Sequence, residues 1–161
     1  MRSLGTAIPF ALALALAGCG GSPKPPPPTV VELTVTAGPL INPDESGQSS
    51  PVILRIYQLA AGGAFDKADF FALYQNESAT LGADLLARDQ LALAGGETRK
   101  ITLQPNAGAR LLGVVAAFRD IDNAEWRQEA PITANQTTHL ALTVGKLGLT
   151  LAVEPAPAPP S

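Results

Sequence analysis

Two side chains that carry much of enzyme chemistry are almost missing. The 161 residues hold one cysteine, Cys19, and one histidine, His139. A single cysteine excludes an intrachain disulfide and any zinc site built from several thiolates. A single histidine excludes the HExxH metalloprotease pattern, and GxSxG is missing too. The chain has no P-loop, no dinucleotide fingerprint and no paired-carboxylate signature. A basic excess is lacking as well: Lys+Arg is 11 against Asp+Glu 14, a net charge of −3. That surface offers no electrostatic footprint for nucleic acid. Apolar runs are short, and none reaches the roughly 20 residues that a spanning helix needs. No internal repeat is present. These absences point away from catalysis and toward binding or scaffolding, with no cofactor and no metal expected.

The longest apolar run lies at the N-terminus, from Leu4 to Ala17, behind the positive charge of Arg2. It has the length and flanks of an export leader. It ends in Leu16-Ala17-Gly18-Cys19, which resembles the lipobox of bacterial lipoproteins. The resemblance implies cleavage before Cys19, a diacylglycerol on its thiol and a further acyl chain on its new amino group. Cys19 is then a lipid attachment site and not a nucleophile, metal ligand or disulfide partner. Several acyl chains, at about 0.8 kcal/mol per buried CH₂, anchor a protein durably. In that family an Asp after the cysteine favours inner-membrane retention. Gly20 and Gly21 stand there instead, which implies the outer membrane and a domain on its periplasmic face.

Four segments follow: a leader (1–18), the lipidated cysteine with a Pro-rich tether (19–28), a folded domain (29–153) and a Pro-rich disordered tail (154–161). The tether spans about 28 Å at roughly 3.1 Å per residue. The domain is long enough to form a core without disulfides. Loss of Arg2 with the leader makes the mature net charge one unit more negative than −3.

Within the domain, 29–37 alternates Val31, Leu33 and Val35 against Glu32, Thr34 and Thr36, the pattern of a half-buried strand. A turn-rich loop (38–51) precedes a strand over 52–60. Between 66 and 76 the period changes: Phe70, Leu73 and Tyr74 recur at helical spacing, with Asp66 or Asp69 as cap. A second short helix is expected over 78–87 with Ser78 as its cap. Strands over 89–94 and 98–104 flank Gly95-Gly96 and read as a hairpin. An apolar central strand (109–118), an edge strand containing Pro131 (126–133) and strands over 137–145 and 146–154 complete the set. About eight short strands interrupted once by helices predict a mainly β sandwich.

Other candidate constellations have simpler readings. His139 sits on the solvent side of an alternating strand. Asp120 to Glu125 lacks the third oxygen ligand and the glycine of a calcium loop and reads as a β-turn. Phe70, Phe71, Tyr74 and Trp126 read as a helix packing on a sheet rather than as a ligand pocket. Arg55, Arg119 and Arg127 read as pairing with Asp or Glu of the same domain. Residue chemistry alone thus reaches a lipid-anchored β-rich binding domain.

Four stretches in order go further: Asn42-Pro43-Asp44; Pro51 to Leu59 with Arg55-Ile56-Tyr57-Gln58-Leu59; Phe65 to Tyr74; and Phe118-Arg119-Asp120 with Trp126-Arg127. Behind a lipobox, they resemble the TssJ (VasD/Lip) family of type VI secretion lipoproteins over nearly all of 29–153. The resemblance implies a transthyretin-like sandwich with an inserted helical segment and a structural, non-enzymatic role. It implies anchoring of the trans-envelope complex to the outer membrane by binding the periplasmic C-terminal region of TssM, which associates with TssL. It also implies partner contact by the loop between the first two strands. Here that loop carries Leu40, Ile41, Asn42, Pro43, Asp44, Glu45, Ser46, Gly47 and Gln48. Leu40 and Ile41 would give apolar contact and Asn42, Asp44, Glu45 and Gln48 a polar rim. The same residues are also ordinary turn chemistry, and both readings stand at this point. Two alternatives come from other classes. One is a lipoprotein module for a small ligand or envelope polymer. The other is a transthyretin-like hydrolase, which the single histidine argues against.

Overall fold

A computed structural model describes residues 24–157. The expected leader (1–18), Cys19, most of the tether and the last residues of the tail lie outside the described residues. The strands are β1 (Val30–Ala37), β2 (Val52–Leu59), β3 (Leu85–Leu93), β4 (Thr98–Leu103), β5 (Leu111–Ala117), β6 (Arg127–Pro131), β7 (Thr137–Val144) and β8 (Leu149–Glu154). Three short helices, α1 (Gly63–Lys67), α2 (Phe70–Gln75) and α3 (Glu77–Leu81), lie between β2 and β3. The strands form two four-stranded sheets, ordered β4-β1-β7-β8 and β3-β2-β5-β6. The sandwich of eight strands with an inserted helical segment is therefore as expected.

Alternation in the sequence becomes the core. Val31, Leu33 and Val35 of β1 and Leu140, Leu142 and Val144 of β7 face Val52, Leu54 and Ile56 of β2 and Leu112, Val114 and Ala116 of β5. The outer face of β2 and β5 is apolar too. Tyr57, Leu59 and Val115 pack there against Phe65, Leu73 and Leu81 of the helical segment. Two-sided burial explains why 109–118 reads as a nearly continuous apolar run. Gly113 makes this second layer possible, because a Cβ there would stand 2.8 Å from Phe65 Cζ.

Several local expectations fail for physical reasons. The stretch 89–94 and 98–104 is not a hairpin. β3 pairs antiparallel with β2 (Leu54↔Leu91), whereas β4 pairs antiparallel with β1 in the other sheet (Leu33↔Ile101). The Gly95-Gly96 turn crosses between sheets, and Gly96 N–H donates to Gly38 O at 2.8 Å. The helix expected over 78–87 spans only Glu77–Leu81; Gly82 (φ 53°) ends it, and Leu85 already pairs with Leu59. Asn76, not Ser78, stands at its N-cap, without a side-chain bond. The helix expected over 66–76 is two pieces, because extended Asp69 accepts from Ala72 N–H at 2.8 Å and starts α2 afresh. The β-turn expected within 120–125 is a 3₁₀ turn, Ile121–Asn123. β8 begins at Leu149 rather than 146, because Gly145 N–H bonds to Gly148 O and closes a tight turn.

The two ends of the sandwich differ in content. β1 begins beside the start of β7 (Val30↔Thr137), and β8 ends there beside His139. The chain from the tether enters at this end. The loops 38–51, 94–97, 118–126 and 145–148 gather at the other, about 25 Å away over the eight residues of β1 at roughly 3.3 Å each.

Candidate functional site

The loop 38–51 is built in two parts. Its first part is an anchor. Ile41 is fully buried in the sandwich core, its N–H donates to Ser49 Oγ at 3.1 Å, and its carbonyl accepts from Ser50 N–H at 3.1 Å. Asn42 is 3% exposed with φ 43°, a left-handed conformation that asparagine tolerates. Its N–H donates to Lys146 O (2.9 Å), its Nδ2 to Pro51 O (2.8 Å), and its Oδ1 accepts from Arg119 N–H (2.7 Å). One buried residue thereby ties three loops together, its side-chain amide joining two of them and its backbone N–H the third.

The second part is a presented tip. Asp44 Oδ1 accepts from both Ser46 N–H and Gln48 N–H at 2.9 Å, while Gly47 N–H donates to Asp44 O. Glu45, Ser46, Gly47 and Gln48 are exposed, Leu40 is 38% exposed, and Pro43 and Asp44 are half-buried. Two of the nine sequence-predicted contact residues are thus corrected. Ile41 is spent on the core and Asn42 on holding loops, because an irregular segment must satisfy its buried backbone groups from within the fold. Leu40 and the 43–48 tip remain available to a partner.

The arginines also divide. Arg55 lies over the Tyr74 ring at 3.9 Å, and its Nη1 donates to Tyr74 O (2.6 Å) and Glu77 Oε2 (2.9 Å). Arg88 Nε is 3.0 Å from Glu77 Oε1, and Tyr57 Oη donates to Glu77 Oε2 at 3.1 Å. Burial pushes the Tyr57 phenol up to about 12, so it stays a donor. This network pins α2 and α3 to the sheet. Arg127 serves helix α1 instead: its Nη1 donates to Phe65 O (2.6 Å) and Ala68 O (2.8 Å), where carboxylate pairing was expected. The carbonyl end of a helix attracts a cation for the same electrostatic reason. Arg119 is exposed, and among the described residues no ion pair of its side chain is found.

His139 is half-buried with Nδ1 3.2 Å from Glu32 Oε2, a cross-strand pair. Asp120 accepts from Asn123 Nδ2 at 2.9 Å inside its own turn. Among the described residues no group of three or more His, Cys, Asp or Glu could hold a metal ion. No helix among them is long and apolar enough to cross a membrane. Burial, aided by Asp66 nearby, raises the Glu129 carboxyl above the ordinary range, against the pull of Arg127. The Phe71 ring, 56% exposed, is the feature that sequence reading placed in a packed stripe and the structure leaves open. Its signal was the doubled Phe70-Phe71, since only one of two adjacent residues can face the sheet from a helix.

An eight-stranded sandwich with a helical insert between β2 and β3 and a structured loop at one end defines the class of fold, and the comparisons give that class a name. Residues 29–147 match the family described as type VI secretion lipoprotein, VasD, EvfM, TssJ. The crystal structure of the T6SS lipoprotein TssJ1 from Pseudomonas aeruginosa is 42% identical, with a TM-score of 0.78 over 81% of this chain and all of that one. Serratia marcescens Lip, described as a membrane-bound component of the type VI secretion system, is 27% identical with a TM-score of 0.72, over 78% and 96%. A chain in the structure described as "T6SS protein TssM C-terminal domain (869-1107) from EAEC" is 26% identical with a TM-score of 0.62, over 80% and 99%. No match was found among curated proteins. The chain belongs to the type VI secretion lipoprotein family of TssJ and VasD.

Proposed function

We propose that this lipoprotein anchors a type VI secretion membrane complex to the outer membrane by binding the periplasmic C-terminal region of TssM, which joins TssL. Its role is structural and not catalytic. Cys19 carries the acyl chains, residues 19–28 act as the tether, and the sandwich faces the periplasm. The observation that carries the reading is the third likeness. Four fifths of this chain cover the matched chain almost entirely. A fragment numbered 869–1107 would be longer than the whole of this chain. That comparison supports a relative of this chain standing beside a TssM domain in one structure.

Topology supports the same reading. The tether enters at the end of the sandwich that holds Val30 and Thr137, so the 43–48 tip faces away from the lipid. A rigid sandwich presenting a loop at its free end is a common way to carry a binding site. Site-specific photo-crosslinking in cells tests it. A crosslinker at Ser46 should trap TssM, and one at Ala134, at the tether end, should not. Equal trapping at both positions, or none at Ser46, contradicts the reading.

A further inference from the structure

Phe71 is a large apolar side chain left in solvent without a packing reason. α2 has only six residues. Its inward positions are Phe70, Leu73 and Tyr74, at the spacing that shares one face. Phe70 stacks on Tyr74 (centroids 5.1 Å, 14°) and meets Trp126 edge-on (5.4 Å, 79°). It also holds Phe71 edge-on at 5.4 Å and 81°. The exposed ring is therefore fixed from behind and not merely loose on the surface. Before it lies an open cavity of about 310 Å³ lined by Asp69, Phe70, Phe71, Ile121, Asp122 and Trp126.

Two further observations say what fits there. The cavity's charged lining residues are both acidic, Asp69 and Asp122, and both are exposed. Asp69 is held in place by its bond from Ala72 N–H. The cavity is also continuous with the presented end. Ile121 and Asp122 stand in the 3₁₀ turn just after Arg119, whose N–H is bonded to Asn42 Oδ1. The Phe71 face thus borders the 118–126 loop, which gathers with loop 38–51 at the end away from the tether.

We propose that the Phe71–Ile121–Trp126 cavity is a second contact surface for the TssM periplasmic region, receiving an apolar side chain flanked by lysine or arginine. The proposal rests on the TssM-binding reading above. The apolar anchor supplies affinity by leaving water, and the acidic rim selects a basic flank and speeds encounter.

The test is titration of the mature, lipidated full chain in detergent against the purified TssM C-terminal region, at low and high salt. Phe71→Ser should weaken binding about tenfold, as loss of a buried aromatic anchor does. Phe71→Leu should restore most of it. The pair Asp69→Asn and Asp122→Asn keeps the helix cap, because asparagine caps as well as aspartate. It should weaken binding about threefold at low salt and flatten its salt dependence. If wild type binds and these variants, still melting cooperatively, bind equally with the same salt dependence, this surface is overturned and the TssM reading stands. If Phe71→Ser does not fold, the charge pair decides, and an unchanged salt dependence overturns the proposal. If wild type itself does not bind, both fall.

Discussion

Asn42 Oδ1 accepts a 2.7 Å hydrogen bond from the backbone N–H of Arg119, while Nδ2 of the same side chain reaches Pro51 O at 2.8 Å. The loop before β2 and the loop after β5 share this one buried amide. Asn42→Ala removes both bonds, strands their partners and leaves a Cβ residue at φ 43°. Each unsatisfied buried group costs about 1–3 kcal/mol, so a loss of about 3 kcal/mol in denaturant unfolding is expected. Asn42→Gly relieves only the backbone and should recover about 1 kcal/mol of that. Equal stability of Asn42→Ala and wild type would show that the amide holds nothing.

Gly113 and Phe65 form the second relationship of this kind. A methyl at 113 would press within 2.8 Å of the Phe65 ring. Gly113→Ala should destabilise by about 1–3 kcal/mol, the usual range for overpacking a filled core. Combining it with Phe65→Leu should cost less than the two single changes added together, because each relieves the other's fault. Strict additivity in a double-mutant cycle would contradict the contact.

Glu129 gives a pH prediction. Its carboxyl is raised by burial and by Asp66, and Oε2 is buried without a hydrogen-bond partner. A folded pKa above the unfolded value means that the native state holds the proton more tightly. The stability this gives is complete below the ordinary carboxylate range near 4.3 and is lost as pH rises through the folded value. Glu129→Gln should therefore melt higher than wild type at neutral pH, with the gain shrinking as pH falls toward that range. A gain that grows on acidification would reverse the sign.

Much of this fold could be read from periodicity. β1, β2, β5 and β7 bury both sides or one face strongly, so their apolar pattern marks them directly. What failed was choice of partner. Gly95-Gly96 shows that the chain reverses but not that β3 joins β2 and β4 joins β1, which long-range packing of Leu91, Leu93 and Leu103 decides. In the candidate site, Ile41 and Asn42 looked like their exposed neighbours because turn chemistry is the same for a presented loop and an anchored one. Leu40-Ile41, an apolar pair in an otherwise polar loop, was the available clue. Phe71 was hidden by the stripe it adjoins, since exposure depends on where the helix rests on the sheet.

Membrane attachment has its own test. On the proposed anchoring, Cys19→Ser should abolish labelling by a fatty-acid analogue and deplete the chain from the outer-membrane fraction. Continued labelling of the serine variant would contradict Cys19 as the acylated residue.

The central claim is that the end of the sandwich away from the tether binds TssM. The most direct measurement replaces Glu45, Ser46 and Gln48 with alanine, leaving Asp44, Gly47 and the Ile41–Asn42 anchor in place, and titrates wild type and variant against the TssM C-terminal region. Binding should weaken about tenfold or more, while the melting temperature moves by no more than a few degrees, since exposed positions contribute within about 0.5 kcal/mol of stability. A folded variant that binds TssM as tightly as wild type would contradict the claim.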